Sequence, residues 1–304
     1  MNKKKAASYF ALFFVLAAFF TLKAQEKKIK DSLGTLLSLS APPRRIVSLA
    51  PNITEILFAL GLEQSIVGVT TYCDYPSQAL TKERIGGLVD PNLEKIKSLE
   101  PDLVIGFRGN PIELLERLKS LEVPVIALDM EQNIEAVFSL IEKVGDITHR
   151  CEEARKITES MKKKYVFIQR ALRKIEQRPK VFLSLHATGL WTCGRESFLN
   201  NLITRAGGEN IARTIPRKWL NLNREKLIDE SPEIIIILAR SEKQFSQAKE
   251  WLSSLPGIRE VKAVKEGRIF FVDQNIATRP GPRLIDALQQ MAEIIHPECF
   301  SSKR

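Results

Sequence analysis

Two stretches of the chain carry the same order of polar and apolar positions. The first is Asn92-Leu-Glu-Lys-Ile-Lys-Ser-Leu-Glu-Pro-Asp-Leu-Val-Ile105, and the second is Asn223-Arg-Glu-Lys-Leu-Ile-Asp-Glu-Ser-Pro-Glu-Ile-Ile-Ile236. They align without a gap, placing Asn92 on Asn223, Glu94 on Glu225, Lys95 on Lys226 and Pro101 on Pro232. Each copy predicts an N-capping Asn, a short helix, a Pro-marked turn and a buried strand. A repeat separation this long points to two similar lobes, because solenoid units run to only a few tens of residues.

The same patterning extends to either side of each copy. Short apolar runs at 45–50, 66–70, 103–105 and 125–128 predict strands, with helices at 53–60 and 112–120 between them. Asn52 followed by Glu55 reads as a capping box at the start of the 53–60 helix, which Gly61 ends. The second lobe repeats the order, with strands at 180–185 and 268–272 and helices at 198–205, 247–253 and 284–295. Strands alternating with helices through short loops imply parallel sheets covered by helices. Residues 133–176 carry no strand signal. Ile147, Cys151, Ala154, Ile157, Met161, Ile168, Leu172 and Ile175 fall at helical spacing. They predict one long connector helix from about Ile147 to Ile175, preceded by a helix that Gly145 ends.

The chain therefore divides into a signal peptide (1–24), a polar leader (25–43), an N-terminal α/β lobe (44–131), a helical connector (132–177) and a C-terminal α/β lobe (178–298). The signal peptide is read from Lys3-Lys4-Lys5, the apolar run Tyr9–Leu22 and the small residue Ala24 before Gln25. Export is thus expected, with a periplasmic destination. The formal charge of +10 falls to about +6 once the four lysines of that segment are removed. Basic and acidic residues interleave, and no Lys/Arg stripe with stacking aromatics marks a nucleic-acid surface. The cysteines at 73, 151, 193 and 299 show no C-x-x-C spacing. In an exported chain they permit up to two disulfides, with Cys151 and Cys299 as one candidate pair.

The catalytic signatures G-x-S-x-G, H-E-x-x-H, G-x-x-x-x-G-K-[ST] and G-x-G-x-x-G are missing. Of the three histidines, His149 falls on the connector and His296 near the C-terminus, leaving His186 as the one placed to reach a cleft. A four-ligand metal site is not expected from that set, and neither is a resident cofactor or an enzymatic activity. What recurs is aromatic and cationic residues after strands, where open parallel sheets bind ligands. They are Tyr72, Tyr75, Phe107 and Arg108 in the first lobe, and His186, Trp191, Trp219 and the Asn275–Arg279 loop in the second. A cleft lined this way suits a large, flat or macrocyclic ligand better than a sugar or amino acid.

Arg45-Ile-Val-Ser-Leu-Ala-Pro-Asn-Ile-Thr-Glu55, the Asn92–Ile105 block and Ala206-Gly-Gly-Glu-Asn210 resemble the periplasmic substrate-binding proteins of ABC importers for cobalamin, ferric siderophores and haem. Thr71–Pro76, Val104–Gly109 and Trp191–Ser197 are most similar to the cobalamin-binding members. The resemblance implies two Rossmann-like lobes with mainly parallel sheets, one long connecting helix and a ligand cleft between the lobes. It implies that Tyr72, Phe107 and Trp219 flank a corrin and that Asn275 and Arg279 donate or accept hydrogen bonds. Leu88 and Leu185 stand where those relatives carry aromatics, and Arg205 replaces a cysteine near the Gly-Gly turn. Glu94 and Glu225 match the acidic residues that dock on the membrane permease. The expectation is a monomeric corrinoid-binding protein that serves an importer's permease and ATPase subunits. A ferric siderophore or haem is the alternative ligand, supported by Arg108, Arg279 and Arg283. A more distant alternative is a corrinoid- or cluster-handling enzyme on a nitrogenase-like scaffold, which would have to draw on Cys73, Cys193 and His186.

Overall fold

In the computed structural model residues 27–301 are described, apart from residues 35, 40, 108, 130–132 and 186–187. The expected signal peptide and the candidate contacts Arg108 and His186 lie outside the described residues. The stretch read as a polar leader contains an antiparallel hairpin, β1 (Lys27–Lys30) with β2 (Leu36–Leu39). Ile29 and Leu39 are buried in the main core, and the buried Asp31 carboxylate accepts the backbone N–H of Leu33 at 2.9 Å. Ser32 N–H donates to the Ala127 carbonyl at 2.9 Å, docking the hairpin on the N-terminal lobe. Its apolar residues Ile29, Leu33, Leu36, Leu37 and Leu39 fall among lysines and serines at no sustained spacing, so the segment lacks a pattern that announces burial.

The N-terminal lobe comprises β3 (Ile46–Ser48), α1 (Pro51–Ala59), β4 (Ile66–Val69), β5 (Glu83–Arg84), α2 (Leu93–Ser98), β6 (Leu103–Phe107), α3 (Ile112–Ser120) and β7 (Val125–Leu128). Its strands lie in the order β5-β4-β3-β6-β7, all parallel. The two-residue period of a strand sends alternate side chains to opposite faces. Leu103, Ile105, Ile126 and Leu128 enter the main core, whereas Val104, Val125 and Ala127 enter an outer core with Ile96 of α2 and Leu115 and Leu118 of α3. The predicted capping box at Asn52 and Glu55 does not form. The helix starts two residues earlier than predicted, at Pro51, after the extended residue Ala50. Asn52 then sits inside the first turn and Glu55 is buried.

The connector is a helical hairpin, α4 (Ile134–Ile147) and α5 (Cys151–Ala171). The predicted start of the long helix at Ile147 is incorrect: Ile147 ends α4, and His149 between the helices has φ +58°. This shortens the long helix to 21 residues, about 30 Å. Gly145 continues α4 instead of ending it. A Cβ there would lie 2.4 Å from the Ala154 Cβ, so its glycine permits the close crossing of the two helices.

The C-terminal lobe contains β8 (Lys180–Ser184), β9 (Trp191–Cys193), α6 (Phe198–Arg205), β10 (Glu209–Asn210), β11 (Trp219–Asn221), α7 (Arg224–Glu230), β12 (Ile234–Ala239), α8 (Glu242–Ser254), β13 (Ile269–Asp273), the single-turn α9 (Gln274–Ala277) and α10 (Leu284–Ile295). The parallel sheet runs β10-β8-β12-β13, and β9 pairs with β11 as a separate antiparallel ribbon. Alternation again divides the side chains: Ile234, Ile236 and Leu238 join the main core, while Ile235, Ile237 and Ala239 join an outer core with Leu227 of α7 and Leu252 of α8. The main core runs without interruption from one lobe through α4 and α5 to the other. All four cysteines are free thiols, so the suggested Cys151–Cys299 bridge is absent.

Candidate functional site

A cleft of about 640 Å³ opens between the C-terminal ends of the two sheets. It is lined by Tyr72, Leu88 and Phe107 from the first lobe and by Leu185, Trp191, Trp219, Asn275 and Arg279 from the second, whereas Tyr75, also a strand-end candidate, is not part of its wall. The wall also includes Thr278 of the predicted Asn275–Arg279 loop, and Ala50–Asn52, Phe198, Arg240, Gln274 and Pro280, which sequence reasoning did not single out. Arg240 follows β12, and a strand end was the signal that could have found it.

The two tryptophans come from the ribbon. Trp219 pairs with Cys193 and Trp191 with Asn221, so the indoles are diagonal neighbours on one face. Thr192 and Leu220, on the opposite face, are buried, while Trp191 and Trp219 remain 41% and 47% exposed. Large apolar rings held half in solvent are unfavourable for an isolated chain and available to a partner. Tyr72, 49% exposed, follows β4 in the other lobe.

One buried asparagine in each lobe fixes the loops that carry these rings. Asn110 accepts the Phe107 N–H at 3.0 Å and donates to the carbonyls of Leu88 at 2.8 Å and Leu49 at 3.4 Å. Asn210 donates to the Cys193 carbonyl at 2.9 Å and accepts the Ala212 N–H at 3.0 Å. An amide has both donors and an acceptor, so a single side chain satisfies backbone groups that a bent loop would otherwise leave unpaired.

At the edge of the cleft an ion-pair network joins the lobes. Glu55, on α1 and 3% exposed, accepts Nε and Nη2 of Arg283 at 2.9 and 2.6 Å, and Nη1 of Arg279 at 3.2 Å. Arg279 also donates to Asp74 at 2.5 Å, to the Tyr72 carbonyl at 3.3 Å and to Asn275 Oδ1 at 3.0 Å. Burial pushes the Asp74 carboxyl up, but the Arg279 pairing overrides it and holds it below the ordinary range. The Arg283 guanidinium lies 3.6 Å from the centre of the Tyr75 ring. The two guanidiniums are therefore matched by two carboxylates, and both Nη groups of Arg279 are occupied within the protein. Arg240, which is exposed, has no ion-pair partner among the described residues.

Cys73 and Cys193 are buried. Burial raises the Cys73 thiol, against hydrogen bonds from Thr54 and Thr70, and pushes Cys193 up to about 12. Neither is a thiolate poised for cluster binding or nucleophilic attack. Glu94 and Glu225 are exposed in the first turns of α2 and α7, outside the cleft wall. Asn92 and Asn223 cap these helices by accepting the Lys95 and Lys226 N–H groups at 2.9 and 2.8 Å.

Residues 46–276 match a family described as periplasmic binding protein. An uncharacterised ABC transporter substrate-binding lipoprotein of Bacillus subtilis is 29% identical over 278 residues, covering 90% of this chain and 86% of the relative. A vitamin B12-binding protein of Photorhabdus laumondii is 27% identical, covering 84% of this chain and 89% of the relative. The apo structure of a periplasmic heme-binding protein from Roseiflexus superposes with a TM-score of 0.76 at 26% identity, covering 84% of this chain and 99% of that one.

Proposed function

The chain belongs to the periplasmic binding protein family, and from that premise we propose that it captures a corrinoid between its lobes, outside the cytoplasmic membrane, and delivers it to an ABC importer. The observation that carries the ligand class is the cleft itself. Exposed aromatic rings from both lobes, Tyr72 on one side and Trp191 and Trp219 on the other, face a cavity of about 640 Å³. That volume lies within the roughly 300–1,000 Å³ of small-molecule sites. Apolar contact with a macrocycle supplies most of the affinity, and Asn275, Gln274 and Thr278 orient its polar rim. The neutralised Arg279 and Arg283 weaken the case for a strongly anionic siderophore complex. Haem is the second reading, favoured by Arg240, whose guanidinium has no ion-pair partner among the described residues and suits a carboxylate side arm.

Calorimetric titration with cyanocobalamin, haemin and a ferric catecholate complex separates these ligands. Saturable heat with cyanocobalamin is expected, with affinity falling about 30-fold in Trp219→Ala, an anchor-residue effect. No heat with cyanocobalamin at micromolar protein refutes the corrinoid reading, and heat with haemin alone replaces it.

Docking on the permease is assigned to Glu94 and Glu225, one exposed carboxylate on each lobe. A Glu94→Arg, Glu225→Arg double variant should bind ligand unchanged and fail to support uptake. Normal uptake by that variant would remove the docking assignment.

A further inference from the structure

We propose that His296, Glu298 and Cys299 form a binding site for a thiophilic divalent cation of the zinc class, separate from the ligand cleft. Their donor atoms lie within 4.8 Å of one another, and none of the three residues lines the cleft.

The site is built by the end of α10. The helix stops at Ile295, and the turn Pro297–Cys299 folds back, with the Cys299 N–H donating to the His296 carbonyl at 3.0 Å and Phe300 N–H to Pro297 at 3.2 Å. Phe300 then packs edge-on against Phe167 of α5, their ring centres 6.2 Å apart. Together these contacts hold Glu298 and Cys299 beside the buried imidazole.

The imidazole is oriented by its far nitrogen. Nε2 lies 3.2 Å from the Gly207 carbonyl oxygen, which can only accept, so Nε2 carries the hydrogen. A histidine that donates one N–H to a backbone carbonyl, leaving the other nitrogen as a lone pair, has the orientation characteristic of metal ligands. Gly207 makes the approach possible: its φ is +90°, and a Cβ there would lie 2.8 Å from His296 Cδ2 and Nε2. The free Nδ1 faces Glu298 Oε1 at 3.0 Å, and Cys299 Sγ lies 4.0 Å from that same oxygen. Two acceptors at 3.0 Å require a positive centre between them, either a proton on the imidazole or a cation. The nearby sulfur, which as a thiol donates weakly to the same carboxylate oxygen, would as a thiolate add a soft third ligand to a cation.

The separations also come close. Zinc bonds of about 2.0–2.3 Å in a tetrahedron put ligand atoms roughly 3.3–3.7 Å apart. The observed 3.0 and 4.0 Å from Glu298 Oε1 lie to either side of that range and all three donors lie within 4.8 Å of one another, so the exposed Glu298 and half-buried Cys299 would have to draw in to reach it. Deprotonated sulfur and carboxylate would balance a divalent charge, and the fourth position is left to solvent. A bound ion would tie the C-terminal turn to the Gly207 loop.

The test uses the full chain, purified without a polyhistidine tag, with Co²⁺ as the spectroscopic probe and Zn²⁺ as competitor. Uptake of one equivalent is expected, with a near-ultraviolet thiolate-to-Co²⁺ charge-transfer band. Cys299→Ser should lose the band and weaken Zn²⁺ binding about 10-fold or more, and Glu298→Gln should weaken it while keeping the band. His296 is buried, so its variant can fail to fold, and the two surface variants carry the test. No stoichiometric uptake, a band that survives in Cys299→Ser, or a band lost instead in Cys151→Ser would overturn the proposal.

Discussion

The two lobes begin from the same plan and part company at the cleft. In each, the first strand lies inside the sheet: β3 between β4 and β6, and β8 between β10 and β12. In each, an Asn-capped helix leads through a proline to a neighbour of that first strand, β6 or β12, and the acid after the proline accepts a backbone N–H at the start of the first strand. Asp102 does so for Arg45 at 2.9 Å and Glu233 for Lys180 at 3.2 Å. The aromatic rings, by contrast, are mounted differently. The N-terminal lobe holds Tyr72 and Phe107 at strand ends, whereas the C-terminal lobe adds the β9–β11 ribbon to present two tryptophans. The lobes share the geometry that backbone hydrogen bonding and core packing require. The side chains at the strand ends, which those forces leave open, are where the lobes differ.

The largest asymmetry between the lobes is Glu55, a buried carboxylate in one that holds two arginines of the other. Glu55→Leu leaves Arg283 without its carboxylate and Arg279 with Asp74 alone, in a setting where each guanidinium is mostly buried. The expected destabilisation is about 3–5 kcal/mol, the usual cost of breaking a buried pair, read from the denaturant midpoint. A loss below about 1 kcal/mol would mean that the shared core alone joins the lobes.

Acid should separate the lobes by a smaller amount. Glu230 accepts Lys180 at 2.8 Å and Lys226 at 2.7 Å, which lowers its carboxyl from 4.5 to about 2. Its counterpart in the repeat is Leu99, which does not titrate. A depressed folded-state value means the contribution is complete above pH 4.5 and is lost as pH falls towards about 2. The size is at most about 3 kcal/mol, less after solvent screening of the half-exposed lysines. Amide protection in β8, taken relative to the intrinsic exchange rate at each pH, should fall between pH 6 and pH 3 more than protection in β3; an equal fall would contradict the asymmetry.

The smallest of these effects addresses what the lobes share. Asn110→Ala and Asn210→Ala should each cost about 1–3 kcal/mol by leaving buried backbone groups unpaired. Both should also lower ligand affinity, because each residue sets an aromatic-bearing loop. If one variant loses stability but binds normally, its loop does not position the ligand, and the parallel between the lobes ends there.

Much of the fold was legible because it is periodic. Helices 112–120, 198–205 and 284–295 and the strand at 125–128 were read with their observed bounds, since amphipathic spacing, Gly stops and β-branched runs are local signals. The misreadings occurred where the deciding partner lay far away. Asn52 and Glu55 have the spacing of a capping box, but Pro280 and the arginines at 279 and 283 determine what they do. Residues 25–43 looked like a leader because a hairpin with two buried apolar residues needs another surface to complete it. The connector was drawn too long because helical spacing continues across His149 while the backbone turns there.

The sequence by itself determined the two-lobed α/β plan, the repeat and the strand-end aromatics, because hydrophobic period and turn residues act over a few positions. Only the tertiary structure decided that those aromatics meet across one cleft. It also decided that Glu55 neutralises Arg279 and Arg283, and that His296, Glu298 and Cys299 converge beside Gly207. Those relations join positions up to 228 residues apart, and a contact at that separation is set by how packed layers stack, a property that no local pattern encodes.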